Sequence, residues 1–310
     1  MRIVRDIEFV EEEDRGASAA IGNFDGVHLG HQSVIELARN AAPDAPVGVM
    51  TFEPHPRQYF APSAPPFRLM SREARASRLE KLGVKRLYEL NFNASLASLT
   101  PEQFARNVIA DGLALTHVVV GSDFCFGKGR AGRAQDLVEF GDLMGFGVTI
   151  APMVTNATAR VSSTAIRDAL SEACPRDAAA MLGHWHRIEG QVISGEQRGR
   201  ELGFPTANIS IDGLHPPAFG VYAVLIDVLD GPHAGSYQGA ASLGVRPMFG
   251  ENIANLETYL FDFSGDLYGA QVSVALVEHL RGEEVFDNLD GLISQMSTDC
   301  INARAILSAL

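Results

Sequence analysis

The regular exchange of strand-like and helix-like stretches stops near residue 182, and that change of texture constrains the fold of this chain most tightly. Before it, residues 17–21, 46–52, 86–92, 117–121 and 147–151 are short apolar runs of strand length. Helical patterns fall between them at 32–42, 72–82, 101–113 and 133–144. Val34, Ile35, Ala38 and Ala41 share one face of the first helix. In the third, Thr100 can cap the N-terminus, Pro101 suits the first turn and Gln103 completes a capping box. Repeated strand–helix–strand order predicts a parallel sheet with helices on both faces, a Rossmann-like α/β domain.

After residue 182 the runs at 190–193, 221–228, 237–245, 256–263 and 272–278 follow one another with few helical patterns between. Turn signals separate them: Asp212-Gly213, Asp230-Gly231-Pro232, Phe249-Gly250 and Ser264-Gly265-Asp266. This predicts an antiparallel barrel or sandwich. A terminal helix follows, in which Leu289, Ile293, Met296, Cys300, Ala303 and Leu307 form one stripe expected to pack on the barrel. At 310 residues the chain can bury two cores, and the expected domains are 1–183 and 184–310.

Several function classes drop out. No run of about 18 apolar residues is present, so no membrane partner is expected. The acidic start, Glu11 to Asp14, has no apolar signal region, and Cys125, Cys174 and Cys300 are too scattered for a disulfide framework or zinc ribbon. Both features point to the cytoplasm. A net charge of −13 argues against nucleic acid. Small anions remain, met by local donors such as Lys128, Arg130 and Arg133, or Arg198 and Arg200. Nothing in the pattern bears on oligomeric state.

Two constellations carry chemistry. In the first, Asn23, Phe24, Asp25, Gly26, His28, Gly30 and His31 lie between the first strand and the first helix. A glycine-bearing strand-to-helix turn aims backbone N–H groups and a helix N-terminus at one point, which is an anion site; Gly30 would let the backbone approach a phosphate. The histidine pair alone would also fit a metal site or a solvated surface, but no further ligand set stands nearby. In context the string resembles the H-x-G-H motif of the nucleotidyltransferase superfamily, specifically its flavin-adenylylating branch. Thr51 to Pro56, Gly121 to Gly127 and Ser162 to Arg167 resemble that branch too. Gly121 to Lys128 is not a P-loop: five residues separate its glycines and no Ser or Thr follows the lysine. The resemblance implies that Ser163, Thr164 and Arg167 join the turn in binding ATP, and that His55, Pro56, Asp123 and Phe124 bind flavin. FMN already carries an anionic phosphate, so His28, His31 and Arg167 need only position it and stabilise charge. A histidine donating to phosphate is expected to gain a proton on binding.

The second constellation runs from Gly195 to Asn208. Gly195, Gly199 and Gly203 make a close-approach loop, Arg198 and Arg200 add charge, and Pro205 leads into an extended segment. Thr206 and Asn208 alternate there, so both present oxygen to one face, which suits Mg2+ bound to a nucleotide. The string resembles the hallmark of riboflavin kinase, as do Phe219 to Ala223, the segment from Glu257 to Phe263, and Asp266 to Gly269. By that resemblance Glu257 is the general base for the ribityl 5′-hydroxyl, a poor nucleophile without one. From Ala20 to Arg304 the chain resembles the bifunctional riboflavin kinase/FMN adenylyltransferase family, the bacterial FAD synthetases. This implies a nucleotidyltransferase domain followed by a six-stranded Greek-key barrel, with ATP as co-substrate, Mg2+ as cofactor, and riboflavin, FMN and FAD as ligands. Met248, Ala165, Thr258 and Tyr259 depart from the family's commoner residues. Three rivals stay in view: one domain silent, another phosphate acceptor, or a flavin sensor without turnover. The loop 195–203 is the expected lid.

Overall fold

The computed structural model describes residues 1–7, 9–155, 161–193, 204–248 and 251–310, without the side chains of 246–248 and 251–253. The chain packs as two compact units, Met1–Ala64 with Arg72–Val161, and Pro65–Ser71 with Ser162–Leu310.

The first unit contains strands β1 (Arg2–Val4), β2 (Ser18–Ile21), β3 (Val47–Glu53), β4 (Arg86–Asn91), β5 (His117–Gly121), the ribbon β6 (Cys125–Phe126) and β7 (Gly132–Arg133), and β8 (Gly147–Ala151). Its helices are α1 (Leu29–Ala41), α2 (Pro56–Phe60), α3 (Arg72–Lys81), α4 (Ala94–Ser98), α5 (Pro101–Phe104, continued as a π-turn over Ala105–Ala110) and α6 (Ala134–Met144). Six strands form one parallel sheet in the order β1-β4-β3-β2-β5-β8. The order reverses between β2 and β5, so the crevice beyond their C-terminal ends is a topological switch point. Every residue of β2 is buried, as expected for a parallel strand covered twice. Ala19 and Ile21 join Phe104, Val108 and Leu137 in one core; on the opposite face the Ser18 hydroxyl donates to the Ala38 carbonyl of α1 at 2.6 Å. The five expected strands and four helices are present within a few residues of their expected bounds. The edge strand β1 was not expected: at three residues it is too short to show a period.

The second unit begins with α7 (Ser163–Ser171) and α8 (Pro175–Leu182). Strands β9 (His186–Gln191), β10 (Thr206–Ser210), β11 (Gly220–Val228), β12 (Gly235–Met248), β13 (Glu251–Leu260) and β14 (Gln271–Arg281) form one antiparallel sheet ordered β10-β13-β12-β11-β14-β9. Three hairpin-linked strands flanked by β14 beside the first of them are a Greek key. Among the described residues the edges β9 and β10 meet at one bridge, Ile193 to Asn208, with the Ile193 N–H donating to the Asn208 carbonyl at 2.9 Å. Ile188, Ile209, Val224, Leu243, Leu256 and Val274 fill the interior. Helix α9 (Leu289–Leu307) packs its C-terminal half, Cys300, Ala303 and Leu307, against Ala223, Ala240 and Phe261. The expected stripe fades at its other end, where Leu289 is 54% exposed.

Candidate functional site

The turn after β2 sits at the switch point of the first unit. Its backbone visits the left-handed region at Phe24 (φ 51°), Gly26 (φ 86°) and Val27 (φ 46°), where a β-branched residue is strained. Several contacts hold it there. The Thr51 hydroxyl donates to the Asn23 carbonyl at 3.2 Å, and a guanidinium N–H of Arg75 reaches the same oxygen at 3.5 Å. Arg75 is fully buried and pairs with Glu53 and with Glu89, the latter at 3.0 Å. Glu89 also meets Arg5 and Arg72. Sequence reasoning missed Arg75, because nothing in a helical pattern marks one arginine as buried.

His28 is the N-cap of α1: its Nδ1 accepts the His31 backbone N–H at 3.2 Å. That bond leaves Nε2 to carry the proton of the neutral ring. The two imidazoles stack with centroids 3.6 Å apart and planes 15° from parallel, and Phe24 tilts against His31 at 4.9 Å. Burial, then the charge of His28, hold the His31 pKa well below its ordinary value, so its ring is neutral in the free protein near pH 7. Its Nδ1 is buried with no hydrogen-bond partner among the described residues. An arriving phosphate would raise that pKa. Asp25 is buried at 3% exposure.

Of the expected flavin contacts, His55 caps α2, accepting the Arg57 N–H at 3.0 Å in a capping box with Gln58, and Pro56 occupies the first turn. Phe124 stacks on Phe126 at 5.5 Å, and the Asp123 carboxylate lies over the Gly121 backbone. Ser163, Thr164 and Arg167 lie on α7, counted with the second unit. Ser162 caps that helix by accepting the Ala165 N–H at 3.2 Å. Arg167 donates from Nε to the Phe67 carbonyl at 2.5 Å and lies over the Phe67 ring.

In the second unit, Thr206 and Asn208 occupy alternate positions of β10, and Asn208 stands directly opposite Glu257 on β13. Glu257 faces Ser242 on its other side. Ala207, Ile209 and Leu256 point into the core, so period-two alternation puts Asn208, Glu257 and Ser242 on the outer face together. A cavity of about 270 Å³ reaches Thr206 and Asn208, lined also by Asp266 and Tyr268 and by core residues such as Val192 and Leu260; Glu257 is not part of its lining. Among the departures, Tyr259 packs against the rings of Phe204 and Phe261, and Thr258 is buried with a hydroxyl that finds no partner among the described residues. Gly195, Arg198, Gly199, Arg200 and Gly203, and with them the expected lid, lie outside the described residues, as does the side chain of Met248.

A turn with orphaned imidazole nitrogen at a switch point, and a carboxylate facing neutral oxygens on a barrel, are two sites suited to handling phosphates. Comparison with known proteins gives them a family. The FAD synthetase model matches residues 10–165 and the riboflavin kinase model residues 182–307. The bifunctional riboflavin kinase/FMN adenylyltransferase of Pseudomonas fluorescens is 40% identical over 99% of this chain and 98% of its own length. That of Escherichia coli K12 is 35% identical over 98% and 97%, and that of Bacillus subtilis 36% identical over 94% and 92%. The chain belongs to the bifunctional riboflavin kinase/FMN adenylyltransferase family. A crystal structure from Streptococcus pneumoniae, described as a macrolide-efflux protein, superposes with TM-score 0.83 at 31% identity over 96% of each chain. Among the described residues no helix is long and apolar enough to cross a membrane, and the efflux description stays with that protein.

Proposed function

We propose that this chain makes flavin cofactors in two ATP-dependent steps: riboflavin to FMN, and FMN to FAD. The carrying observation is that both family models meet in one chain, each spanning its own phosphate-handling motif. In the first step Glu257 takes the proton of the ribityl 5′-hydroxyl as that oxygen attacks the γ-phosphorus, and ADP leaves. In the second, a phosphate oxygen of FMN attacks the α-phosphorus of a second ATP and pyrophosphate leaves. No base is needed there; His28 and His31 hold and partly neutralise the reacting phosphates, with Asn23 to Gly30 cradling them through backbone N–H groups. Ser163, Thr164 and Arg167 are assigned to ATP in this step, and His55, Pro56, Asp123 and Phe124 to flavin, by family resemblance. The same resemblance assigns Gly195 to Pro205 to the ATP of the kinase step.

Thr206 and Asn208 fit Mg2+: both offer neutral oxygen, beside a cavity able to admit phosphates, to an ion that takes few protein ligands. Bound there, Mg2+ would offset phosphate charge. The functional boundary is placed at 183/184, and three free cysteines suit the cytoplasm.

Chromatography of products from riboflavin, ATP and Mg2+ tests the reading: FMN appears first, then FAD. Glu257→Gln lowers FMN formation by roughly 10²- to 10⁴-fold yet still converts supplied FMN to FAD. The double variant His28→Ala, His31→Ala stops at FMN. Undiminished activity in both variants sinks the residue assignments; failure of the parent protein to make either product sinks the function.

A further inference from the structure

Beside Glu257 the outer face of the barrel holds a buried amide pair, and no motif marks its second member. Asn208 and Asn255 are 6% and 5% exposed. Asn255 opposes Ser210 on β10 and Gly244 on β12, diagonal to Asn208. Its Nδ2 donates to Asn208 Oδ1 at 3.0 Å. That bond engages the very oxygen Asn208 would offer a cation, and it leaves Asn208 Nδ2 toward the Thr206 carbonyl at 3.5 Å. Asn255 Oδ1, meanwhile, is buried and has no hydrogen-bond partner among the described residues.

A carboxamide donates at one end and accepts at the other. If both side chains turn over, one bond between them survives with its direction reversed, from Asn208 Nδ2 to Asn255 Oδ1. The Asn255 oxygen is then used, its NH2 takes the buried position the oxygen held, and Asn208 Oδ1 is released toward the Thr206 side. We propose that Asn255 is a positioning residue for Asn208, and that reversal of this amide pair presents the Asn208 oxygen to the cation accompanying ATP. The inference rests on the reading of Thr206 and Asn208 as metal ligands. It gives Asn255 the usual work of a group behind a ligand, which is to fix its orientation.

The test is titration of the full-length protein with Mn2+ in the presence of ADP, following free Mn2+ by electron paramagnetic resonance. Asn208→Ala identifies the binding step that belongs to this site by removing it. Asn255→Leu, which offers no acceptor, is expected to weaken that step about 10- to 100-fold. Asn255→Asp, isosteric and acceptor-only, holds Asn208 in the ligating orientation and keeps the step at parental affinity or tightens it. Circular dichroism melts establish that each variant is folded; should Asn255→Leu not fold, Asn255→Ala, which likewise offers no acceptor, takes its place beside the aspartate variant. Equal loss in the leucine and aspartate variants, or no loss in the leucine variant, overturns the role of Asn255. If Asn208→Ala removes no step, the metal-ligand reading itself fails.

Discussion

At Gly30 the structure adds a steric reason for glycine to the one its sequence context suggests. The sequence suggests a glycine that admits a phosphate to the backbone. In the structure, a Cβ at position 30 would lie 3.0 Å from His28 Cε1 and 3.1 Å from Nδ1, so the missing side chain first makes room for the imidazole that caps α1. Thr258 is the reverse case, a departure from the family with a visible cost. Its hydroxyl is buried without a partner among the described residues, and such a group is destabilising by about 1–3 kcal/mol. Thr258→Val keeps the shape and removes the polar atom. It should raise the unfolding free energy of the second unit by about 1 kcal/mol in urea titration while FMN formation persists. A destabilised valine variant would mean that the hydroxyl has a partner.

At the scale of elements, legibility depended on period and length. The parallel strands and the amphipathic α1 repeat over enough residues to be read, whereas α1 begins at Leu29, ahead of the expected 32, because histidine is an unusual cap. Helix α9 was read from its apolar stripe, yet its firmest tie is ionic. Asp299, 3% exposed, receives Arg281 Nε at 3.1 Å and Nη2 at 2.8 Å, with Gln295 Nε2 at 2.9 Å. A charge between Thr298 and Cys300 gives no sign in sequence that it turns inward, and the partner lies 18 residues away. Removing Asp299 leaves Arg281, among the described residues, with Glu284 alone as an ionic partner, at 3.9 Å, so Asp299→Ala should destabilise the second unit by roughly 3 kcal/mol in denaturant titration. An effect near zero would show the pair to be solvated. The same limit hid the Asn208–Asn255 pair: Asn208 stood in a motif, Asn255 in none, and only strand register joins them.

Across the whole molecule, buried histidines tie both units to pH. Burial first, then the charges of His184 and His215, push the His186 pKa down to about 3 from its ordinary 6.5; His31 is lowered in the first unit, again chiefly by burial. Above pH 6.5 each ring is neutral whether the chain is folded or not, and these groups leave stability unchanged. Below it the unfolded chain takes the proton first, so stability is lost progressively as pH falls toward the folded values. The loss reaches up to about 1.4 kcal/mol per pH unit for each such ring. Unfolding free energies measured from pH 7 to pH 4 should therefore decline, and His186→Gln should flatten the decline of the second unit. A profile unchanged by that substitution would assign the acid sensitivity elsewhere.

The bridge that joins β9 and β10 among the described residues has a further consequence. Every other neighbouring pair in the barrel is stitched along several residues, while among the described residues this one is joined at Ile193 and Asn208. A closed sheet with one thin seam can part there without unpicking a ladder, and amide hydrogen exchange should enter the barrel along β10 before it reaches β11 or β14. The strand that carries Thr206 and Asn208 is thus the plank at the hatch: the residues expected to grip a nucleotide sit where the wall yields most readily, and a ligand gripping them would also fasten it shut.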